Sequence, residues 1–572
     1  MSSYQLIARP CPPVAAQLSE HISPLLARLY AARGVESVEQ LSLKLNRLIP
    51  AHHMKGLDCA VNLLDQAIDQ QTRILIVGDF DADGATSTAL MMLTLGQMGA
   101  QVDYLVPDRF KYGYGLTPEI VALAIEQYQP QLIVTVDNGI SSHAGVVAAH
   151  AAAIQVIITD HHLTTKTPPE CAAVVNPNQP DCNFGSKALA GVGVAFYVLA
   201  ALATQRKQQG KTSINLTQYL DIVAIGTVAD VAQLDANNRI LVAAGVARIR
   251  QGACRPGILA LLEIAGREAY KISPQDLGFV IGPRINAAGR MENMRIGIDC
   301  LLANTFEEAL PLAQKLDELN RERRRVEAQM KQEALDLLAH SAYNTLTDIP
   351  PAIVLFEPSW HQGVIGIVAG RLKEQFHRPT IVFAPSEDGL FIKGSARSIV
   401  GVHIRDAIER VAEQSPELVS HFGGHAMAAG LTLPRQQFDA FTAAFQQIIA
   451  AHDPDLFAAK LMTDGELQSH EFSLDTARDL AQAGPWGQGF AAPLFEGHFD
   501  VLEYRWLKDQ HLRLKLKNLQ HPALEAIAFN MAGQLALDQP IRKVHVAYQL
   551  DINDYQGRQR LQLMIQHLEI LS

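Results

Sequence analysis

One stretch, Ile74–Gly84, constrains the fold of this chain most, because an apolar run leads straight into a cluster of acids. Its first four residues predict a buried strand of a parallel sheet, and Gly78 lets the chain turn. Three carboxylates then follow at alternate positions: Asp79, Asp81 and Asp83. Acids packed beyond a strand end repel one another unless cations neutralise them, and oxygen ligands favour hard ions such as Mg²⁺ or Mn²⁺. The stretch therefore predicts a divalent-metal site at the edge of an α/β sheet.

Two other interpretations of these acids stay open on this stretch alone. A calcium loop of the EF-hand type is disfavoured, because a strand precedes the acids and the loop lacks the glutamate expected at its twelfth position. A solvated acidic turn without any ion is the other alternative. Residues elsewhere in the chain have to decide between a solvated turn and a metal site.

Two further predicted strands, Leu132–Val136 and Val156–Thr159, also end in potential ligands. These ligands are Asp137 after the first strand, and Asp160, His161 and His162 after the second. Because helix–strand alternation puts the carboxyl ends of parallel strands on one edge, we expect all of these side chains to meet the first three acids. Asp230, at the end of an apolar helical stretch, is a natural closing ligand, although its spacing alone does not distinguish it from an ordinary acid.

A glycine-aromatic loop, Tyr112–Gly115, follows the predicted strand Val102–Val106. An ordinary tight turn explains its glycines without any function. Arg109 next to the loop is suited to holding a phosphate, and Tyr114 is suited to stacking on a base.

The composition describes a globular chain of several domains: of 572 residues, 48% are hydrophobic and 19% are charged. A net charge of -11 does not by itself indicate nucleic-acid binding, although a local basic groove is compatible with it. The six cysteines are scattered without a Cys-x-x-Cys pair, which disfavours a zinc site and a disulfide framework. We find no signal-peptide pattern and no apolar run long enough to span a bilayer, so we expect a cytoplasmic protein without membrane contact.

The middle of the chain predicts a long helix and a second α/β lobe. Residues 305–340 form a charged helical pattern whose arginine run suits either a solvated linker or a surface facing DNA. Residues 350–450 predict strands and helices, with glycine-rich loops around Ser395–Arg397 and Gly424–His425. Such loops suit phosphate contact, although each alone is also explained as a structural turn.

The last segment, residues 456–572, changes to alternating strands, as in His511–Leu519, and an all-β module of this size fits an OB-fold. Aromatic residues lie among basic ones, as on single-strand binding platforms. A solvated sheet face is the alternative. The candidate nucleic-acid-binding residues here are Tyr504, Arg505, Trp506, Lys508, Arg513, Lys515 and Lys517.

Four motifs occur in order: Gly-Asp-Phe-Asp-Ala-Asp-Gly at 78–84, Val-Asp-Asn-Gly at 136–139, Thr-Asp-His-His at 159–162 and Gly-Thr-Val-Ala-Asp at 226–230. Together they resemble the DHH phosphoesterase superfamily. The segments 107–116 and 281–290 resemble, more narrowly, the RecJ family of bacterial exonucleases, and residues 350–450 resemble the DHHA1 domain. The segment Pro485–Pro493 departs from the Pro-Phe-Gly-x-Gly-Asn-Pro pattern of that family, which leaves its conformation open.

The resemblance implies a 5′→3′ exonuclease specific for single-stranded DNA, which releases 5′-mononucleotides and acts in DNA recombination and repair. It implies two divalent ions, Mn²⁺ or Mg²⁺, and a role for each residue of the acid cluster. One ion would be held by Asp79, Asp81 and Asp137, and the other by Asp83, Asp137, His161 and Asp230. His162 would touch the scissile phosphate, and Asp160 would orient the histidines.

The resemblance also implies DNA contacts outside the acid cluster. The candidates for the terminal 5′ phosphate and the strand are Arg109, Tyr114, Arg284, Arg290, Ser395, Arg397, Gly424 and His425. Single-stranded DNA is the implied substrate, and a single-strand binding protein and a DNA helicase are the implied partners.

The predicted fold class is α/β and multidomain. The expected domains are an N-terminal helical segment at 1–50, a parallel-sheet DHH catalytic domain at 51–304, a linker helix at 305–345, an α/β DHHA1 domain at 346–455 and a C-terminal all-β OB-fold at 456–572. One alternative function is a DHH-family phosphoesterase acting on small phosphate or oligonucleotide substrates. Another is an inactive DNA-binding scaffold, which should have lost metal ligands, yet none is missing from the sequence.

Overall fold

The structure is a computed structural model, and it describes residues 4–108, 111–164, 167–340, 349–508, 510–518, 523–531, 541–555 and 557–571. The chain divides into two compact units. The sheet unit comprises Pro12–Arg321 and Gln482–Ala492, and the barrel unit comprises Met1–Cys11, Glu322–Ala481 and Pro493–Ser572.

The described chain contains the following strands: β1 Gln5–Ala8, β2 Arg73–Gly78, β3 Gln101–Leu105, β4 Leu132–Val136, β5 Gln155–Thr159, β6 Ala173–Val175, β7 Ile353–Phe356, β8 Thr380–Pro385, β9 Phe391–Arg397, β10 His421–Gly424, β11 Ala428–Pro434, β12 Lys460–Thr463, β13 Phe495–Leu507, β14 His511–Lys517, β15 Leu524–Ala528, β16 Lys543–Tyr555 and β17 Arg558–Leu571.

Its α-helices are α1 Val14–Leu18, α2 Pro24–Ala31, α3 Leu57–Asp69, α4 Ala82–Gln97, α5 Pro118–Tyr128, α6 His143–Ala151, α7 Gly191–Gln208, α8 Leu220–Ala229, α9 Ala236–Arg250, α10 Pro256–Ile264, α11 Pro274–Asp276, α12 Gly282–Met291, α13 Arg295–Leu302, α14 Phe306–His340, α15 Ile365–Phe376, α16 Ile404–Gln414, α17 Phe438–Ala450 and α18 Leu474–Gln482. A π-helical segment, Leu277–Ile281, joins α11 to α12.

The sheet unit is built on a parallel sheet with the strand order β3-β2-β4-β5-β6. Every residue of β4 is buried, because helices cover both faces of the sheet. The apolar core on one face includes residues of α3, α4 and α7, and the core on the other face includes residues of α5 and α6. Burial on both faces explains why these strands read as continuous apolar runs. The predicted parallel-sheet domain is confirmed.

The first helix after Asp79 begins inside the run of acids. Helix α4 begins at Ala82, between Asp81 and Asp83. The reason is the side chain of Asp81, whose Oδ1 accepts hydrogen bonds of 3.0 Å from the backbone N–H groups of Asp83 and Gly84. Asp81 is therefore the N-cap of α4, and Asp83 lies in the first helical turn.

The barrel unit contains a five-stranded sheet in the order β10-β11-β9-β8-β7, in which β7 and β8 are parallel and the other pairs antiparallel. It also contains a closed barrel of five strands, β13-β14-β15-β17-β16. The predicted α/β lobe and the predicted C-terminal OB-fold are confirmed.

Two local predictions in the barrel unit were wrong. Ser395 and Arg397 lie within strand β9, not in a loop, because backbone pairing with β8 and β11 extends through both residues. The N-terminal segment was expected to be helical, yet Gln5–Ala8 forms a strand that pairs in parallel with Lys460–Thr463. The partner strand is more than 450 residues away, so no local pattern marks this pairing.

Within the described ranges, no helix combines the length and the apolarity that crossing a membrane requires.

A buried ion-pair network joins α3 to α7 in the sheet unit. The Arg206 guanidinium contacts the carboxylates of Asp65 and Asp69, and the Lys211 ammonium contacts the same two acids. Arg206 and Asp65 are buried, whereas the Lys211 side chain is 32% exposed. The network thus pairs one buried cation and one partly solvated cation with the same acids.

We expect Arg206→Met to lower the free energy of unfolding by roughly 3 kcal/mol, because it removes the buried partner of a buried carboxylate. Lys211→Met is the matched control, and it should cost much less than Arg206→Met because water screens its charge. Chemical denaturation of both variants measures the difference. Equal losses in the two variants would contradict this assignment.

Candidate metal centre and active site

Three neighbouring strands deliver the acids to one place. Strands β2, β4 and β5 pair in parallel and in register, so their carboxyl ends lie level with one another. Asp79, Asp137 and Asp160 each follow the last residue of one of these strands. The convergence that the sequence predicted for the sheet edge is therefore present.

The side chains at this edge form three overlapping groups of potential metal ligands. Within each group, the ligand atoms lie within 4.8 Å of one another. The groups are Asp79, Asp81 and Asp137; Asp83, His161 and Asp230; and Asp137, His161 and His162. Every predicted ligand thus belongs to at least one group. His162, predicted to touch phosphate, also lies within ligand distance of Asp137 and His161.

Asp137 has an unusual backbone conformation. Its φ is +61°, in the left-handed region that asparagine and aspartate tolerate better than other non-glycine residues. The next residue stabilises the turn, since Asn138 Nδ2 donates to the carbonyl oxygens of Val77 and Val136 at 3.1 and 2.9 Å. Asp137 therefore both tolerates the left-handed backbone of this turn and supplies a potential metal ligand.

Asp83 is held by the start of α7. Its Oδ2 accepts a hydrogen bond of 2.6 Å from the Gly191 N–H, and its Oδ1 accepts one of 2.9 Å from the Val192 N–H. The positive end of the helix dipole thereby faces the carboxylate. The sequence did not predict these two hydrogen bonds to Asp83. The two glycines at the beginning of α7, Gly191 and Gly193, were nevertheless a signal for close backbone contact.

Asp160 has the contacts that a positioning residue needs. Its Oδ1 accepts hydrogen bonds from the backbone N–H groups of His161 and His162 at 2.7 and 3.1 Å. The same oxygen lies 2.7 Å from His162 Nδ1, and Oδ2 accepts from the Ile140 N–H at 2.9 Å. These bonds fix the orientation of the histidine pair. Its role in the reaction stays a prediction.

Crowding of carboxylates changes their protonation. Burial, followed by the charge of Asp81, raises the pKa of Asp83 to about 7. Burial and the neighbouring acids also raise the pKa of Asp137 and of Asp230 well above the ordinary value. Without a cation, the folded protein therefore holds these acids close together at an electrostatic cost.

The two histidines differ in charge. Burial, followed by the charge of His162, lowers the pKa of His161 to about 4, so its ring is neutral at pH 7. Burial lowers the pKa of His162 as well, but the hydrogen bond and charge of Asp160, with the other nearby acids, raise it to about 9. A neutral ring suits a metal ligand, and a protonated ring suits an anion contact.

A pair of buried atoms tests whether these residues fit a metal ion. Asp137 Oδ1 and His161 Nε2 lie 3.0 Å apart, and neither has a hydrogen-bond partner within the described structure. Buried polar atoms are rarely left unsatisfied, and a cation would satisfy both while relieving the repulsion among the acids. Carboxylates with one imidazole are donors that Mn²⁺ and Mg²⁺ accept. The donor set therefore fits a divalent metal.

Tyr114 lies at this site. Its hydroxyl donates to the Asp137 carbonyl oxygen at 3.2 Å and lies 3.1 Å from His162 Nδ1. The residue is 49% exposed, and its ring contacts Phe80 edge-on. The exposed part of the ring beside the cluster is available for stacking. Arg109, the neighbouring candidate, lies outside the described residues.

Helix α12 positions the first acid loop. Asn286 Oδ1 accepts a hydrogen bond of 2.8 Å from the Ala82 N–H, and a Cβ at Gly289 would lie 2.0 Å from the Phe80 carbonyl oxygen. Only glycine therefore allows this approach. Sequence reasoning missed Asn286, although it lies inside the 281–290 motif.

Arg284, a predicted DNA contact on α12, is buried in the structure. Its guanidinium bonds to Asp317 Oδ1 at 2.9 and 3.0 Å and donates to the Val280 carbonyl oxygen. This arrangement differs from the open phosphate ligand that the resemblance implied, because internal partners already use these donors. Arg290 lies half-buried near the end of the same helix.

The predicted phosphate ligands of the barrel unit lie together on adjacent strands. In β9, Ser395 and Arg397 pair with β11, and β11 in turn pairs with β10, which ends at Gly424. Arg397 Nη1 donates to Ser395 Oγ at 3.1 Å, and a Cβ at Gly366 would lie 2.9 Å from its Nη2. His425 follows β10 directly. The glycine at the start of α15 thus leaves room beside the guanidinium.

The predicted nucleic-acid residues of the barrel lie on β13, on β14 and at the turn between them. Alternation on β14 is as expected, since its three leucines are buried. Tyr504, Arg505, Arg513 and Lys515 line one cavity of about 260 Å³. Arg513 is paired there with Glu525 at 2.9 Å. Trp506 is half-buried, whereas Lys508 and Lys517 are exposed.

Comparison with family models divides the chain in the same order as the motifs. The DHH family N-terminal domain matches residues 73–227, the DHHA1 domain matches 350–451, and the RecJ OB domain matches 463–567. A protein of Dickeya dadantii named single-stranded-DNA-specific exonuclease RecJ is 49% identical over 566 residues, which cover 97% of this chain and 98% of the relative.

Solved structures of RecJ are similar to this chain as well. The crystal structure of RecJ from Thermus thermophilus in complex with Mn²⁺ is 31% identical, has a TM-score of 0.82, and matches 100% of this chain and 80% of that one. The Mg²⁺ complex from the same organism is 29% identical with a TM-score of 0.77, and the match covers 100% of this chain and 79% of that one. With this identity over nearly its full length, and with the DHH, DHHA1 and OB domains in order, the chain belongs to the RecJ family.

Proposed function

We propose that this chain is a single-stranded-DNA-specific exonuclease that works in the 5′→3′ direction and releases 5′-mononucleotides. The observation that carries this proposal is the cluster of acids and histidines at the sheet edge, with its unsatisfied Asp137–His161 pair. The name and high identity of the Dickeya relative support the same activity. DNA recombination and repair in the cytoplasm are the setting that the family resemblance favours.

The proposed metal content is two divalent ions, Mn²⁺ or Mg²⁺. Asp79, Asp81 and Asp137 would hold one ion, and Asp83, Asp137, His161 and Asp230 would hold the other. When bound, such ions neutralise the phosphate charge, activate water and assist the leaving oxygen. The mixed oxygen and nitrogen donors favour Mn²⁺ over Mg²⁺.

The protein groups around this site have separate tasks in the proposal. His162, kept protonated by Asp160, binds a non-bridging oxygen of the scissile phosphate. Tyr114 stacks on a base near the scissile bond, while its hydroxyl keeps the Asp137 turn in place. Asn286 holds the loop that carries Asp79 and Asp81. No side chain is needed as a nucleophile, because water attacks the phosphate.

The barrel unit provides the proposed grip on DNA. Ser395, Arg397, Gly424 and His425 would bind the terminal 5′ phosphate, which carries more charge than an internal one. The basic residues of β13 and β14 would bind the single strand through its phosphates. A single-strand binding protein and a helicase stay predictions of the family resemblance.

The activity is tested with end-labelled DNA and the Asp137→Asn variant. Asparagine keeps the left-handed turn but removes one ligand charge, whereas alanine would add backbone strain. Loss of groups that merely support a metal ligand already costs roughly 10- to 100-fold, so we expect Asp137→Asn to lose at least about 100-fold in rate. Release of label from single strands with Mn²⁺, Mg²⁺ or chelator measures this.

Substrate controls separate the proposal from a small-substrate phosphoesterase. We expect the wild type to degrade long single strands faster than duplexes and faster than dinucleotides, and chelator to stop it. Faster hydrolysis of dinucleotides would favour the phosphoesterase. Wild-type rates in a folded Asp137→Asn variant would overturn the metal model.

The raised pKa values predict how the metal-free protein responds to pH. A group whose pKa is raised by folding stabilises the protein fully below its unfolded pKa, and it loses this contribution as pH rises from the unfolded to the folded pKa. Asp83, raised from 3.8 to about 7, has therefore lost its contribution by about pH 7. His162, raised from 6.5 to about 9, loses its contribution over the range from pH 7 to 9. We therefore expect the Tm in chelator to fall over this range, and Mn²⁺ to raise it more at about pH 8.5 than at pH 7.

Thermal melts at several pH values, with and without Mn²⁺, measure this response. Asp137→Asn is the matched variant, because it removes one repelling charge. It should raise the metal-free Tm near the alkaline end of the range by about 1–2 °C for each kcal/mol of repulsion relieved. A metal-free Tm that is constant or rises from pH 7 to 9 would contradict the assigned protonation states.

The direction of degradation is tested at Arg397. Loss of a charge-assisted bond to the terminal phosphate should cost about 1.5–3 kcal/mol, or roughly 10- to 100-fold in kcat/KM. We expect Arg397→Ala to slow 5′-phosphorylated strands by this factor and 5′-hydroxyl strands much less. Arg410→Ala, at an exposed position of α16, is the matched control and should change neither rate. Equal slowing at both ends would make Arg397 a general backbone clamp.

A further inference from the structure

Arg239, which belongs to none of the metal-ligand groups, is a buried arginine without a charge partner among the described residues. Arg239, in the first half of α9, is 2% exposed. Within the described structure, its guanidinium makes no hydrogen bond and no ion pair, and its Nε is buried and unsatisfied. The guanidinium lies over the Phe490 ring, whose centroid is 4.0 Å from Cζ. Buried arginines are normally paired, so this one calls for an explanation.

The contact with the Phe490 ring does not by itself compensate for the burial of the Arg239 charge. A cation–π contact offsets only part of the free-energy cost of burying an unpaired charge. Burial also lowers the pKa of Arg239, opposed by the nearby Tyr30. The side chain is therefore kept in place by the packing around it rather than by a carboxylate.

A cavity lies beside Arg239, within the sheet unit. Its volume is about 310 Å³, in the lower range for small-molecule sites. It is formed where residues 33–40, the start of α9 and residues 489–490 come together. Its polar and aromatic lining includes Arg33, Gln40, Gln233, Asp235, Arg239 and Phe490.

The charges around the cavity favour an anion. Arg33 and Arg239 both line the cavity, and Arg33 also donates to the carbonyl oxygens of Ala491 and Leu29. Among the described lining residues Asp235 is the one acid, and its carboxylate already accepts hydrogen bonds from the Asn238 N–H and the Ser186 hydroxyl. That carboxylate is thus occupied as the N-cap of α9, while the guanidinium of Arg239 has no acid partner in the described structure.

We propose that this cavity binds a phosphate monoester, with the phosphate on Arg239. A guanidinium presents two parallel donors to a phosphate, and the first turn of the 15-residue helix α9 adds its positive dipole end. The volume leaves room for a nucleoside attached to the phosphate. The site is independent of the metal cluster and of the proposed nuclease activity.

The cavity is connected to the segment that follows Asp230. The Leu234 N–H donates to the Gln488 carbonyl oxygen at 2.7 Å, and Gln233 and Asp235 on either side line the cavity. The segment 485–493, whose sequence departs from the family pattern, supplies Phe490 and the stacked Trp486. A bound phosphate would therefore brace the chain just after a predicted metal ligand.

Thermal melts and titration calorimetry on the full-length protein in chelator test the site. The probes are inorganic phosphate, 5′-dAMP, deoxyadenosine and acetate, all at matched ionic strength. At roughly ten times Kd, a bound ligand should raise the Tm of the wild type by about 1–2 °C. We expect phosphate and 5′-dAMP to do so, and deoxyadenosine and acetate not to. A tighter response to 5′-dAMP than to phosphate would show that the nucleoside also contacts the cavity.

The deciding variant is Arg239→Met, which keeps much of the length of the side chain and removes its charge. We expect it to lose the phosphate response while its ligand-free Tm equals or exceeds that of the wild type, because an unpaired buried charge has been removed. Arg267→Met, at an exposed arginine of the same unit, is the control and should keep the full response.

Four results would overturn the proposal. The first is the absence of any phosphate response in the wild type, and the second is an undiminished response in Arg239→Met. The third is a ligand-free Arg239→Met that melts far below the wild type or fails to fold, which would make the guanidinium a structural group stacked on Phe490. A response to acetate alone would likewise replace a phosphate site with a carboxylate site.

Discussion

Repulsion among buried carboxylates is the constraint on which the catalytic half of this protein depends. Parallel pairing of β2, β4 and β5 forces their terminal acids together, and burial raises the pKa values of Asp83 and Asp137. The folded chain tolerates this because a cation can occupy the cluster. The strand register that builds the sheet therefore also sets the spacing of the potential metal ligands.

Elements outside the sheet hold the cluster against that repulsion. The start of α7 supplies two N–H groups to Asp83, and Asn286 of α12 holds the loop that carries Asp79 and Asp81. Asp160 uses its lone pairs to bind the histidines and the Ile140 N–H. These contacts explain why a chain with so many acids in one place keeps a single geometry before any ion binds.

Buried positive charges, like the buried carboxylates, need partners of opposite charge. Arg284 and Arg206 are buried with carboxylates beside them, whereas Arg239 is buried with an aromatic ring and a cavity. The first two are satisfied within the protein. The third requires an anion from outside, as the acid cluster requires cations. Unsatisfied buried charge thus marks both the site that the family resemblance implied and one that it did not.

The sequence by itself determined the parallel sheet, the meeting of acids and histidines at its edge, and the β module, because apolar runs that end in acids and strict alternation both follow directly from burial. It could not determine contacts between distant segments. The start of α4 at Ala82, the pairing of β1 with β12, the burial of Arg284 by Asp317 and the support from Asn286 all depend on residues far apart in the chain or on cap geometry. Arg239 looked like any helical arginine. Only tertiary packing decided that it lies buried beside a cavity, since burial is set by what the rest of the chain places around a residue.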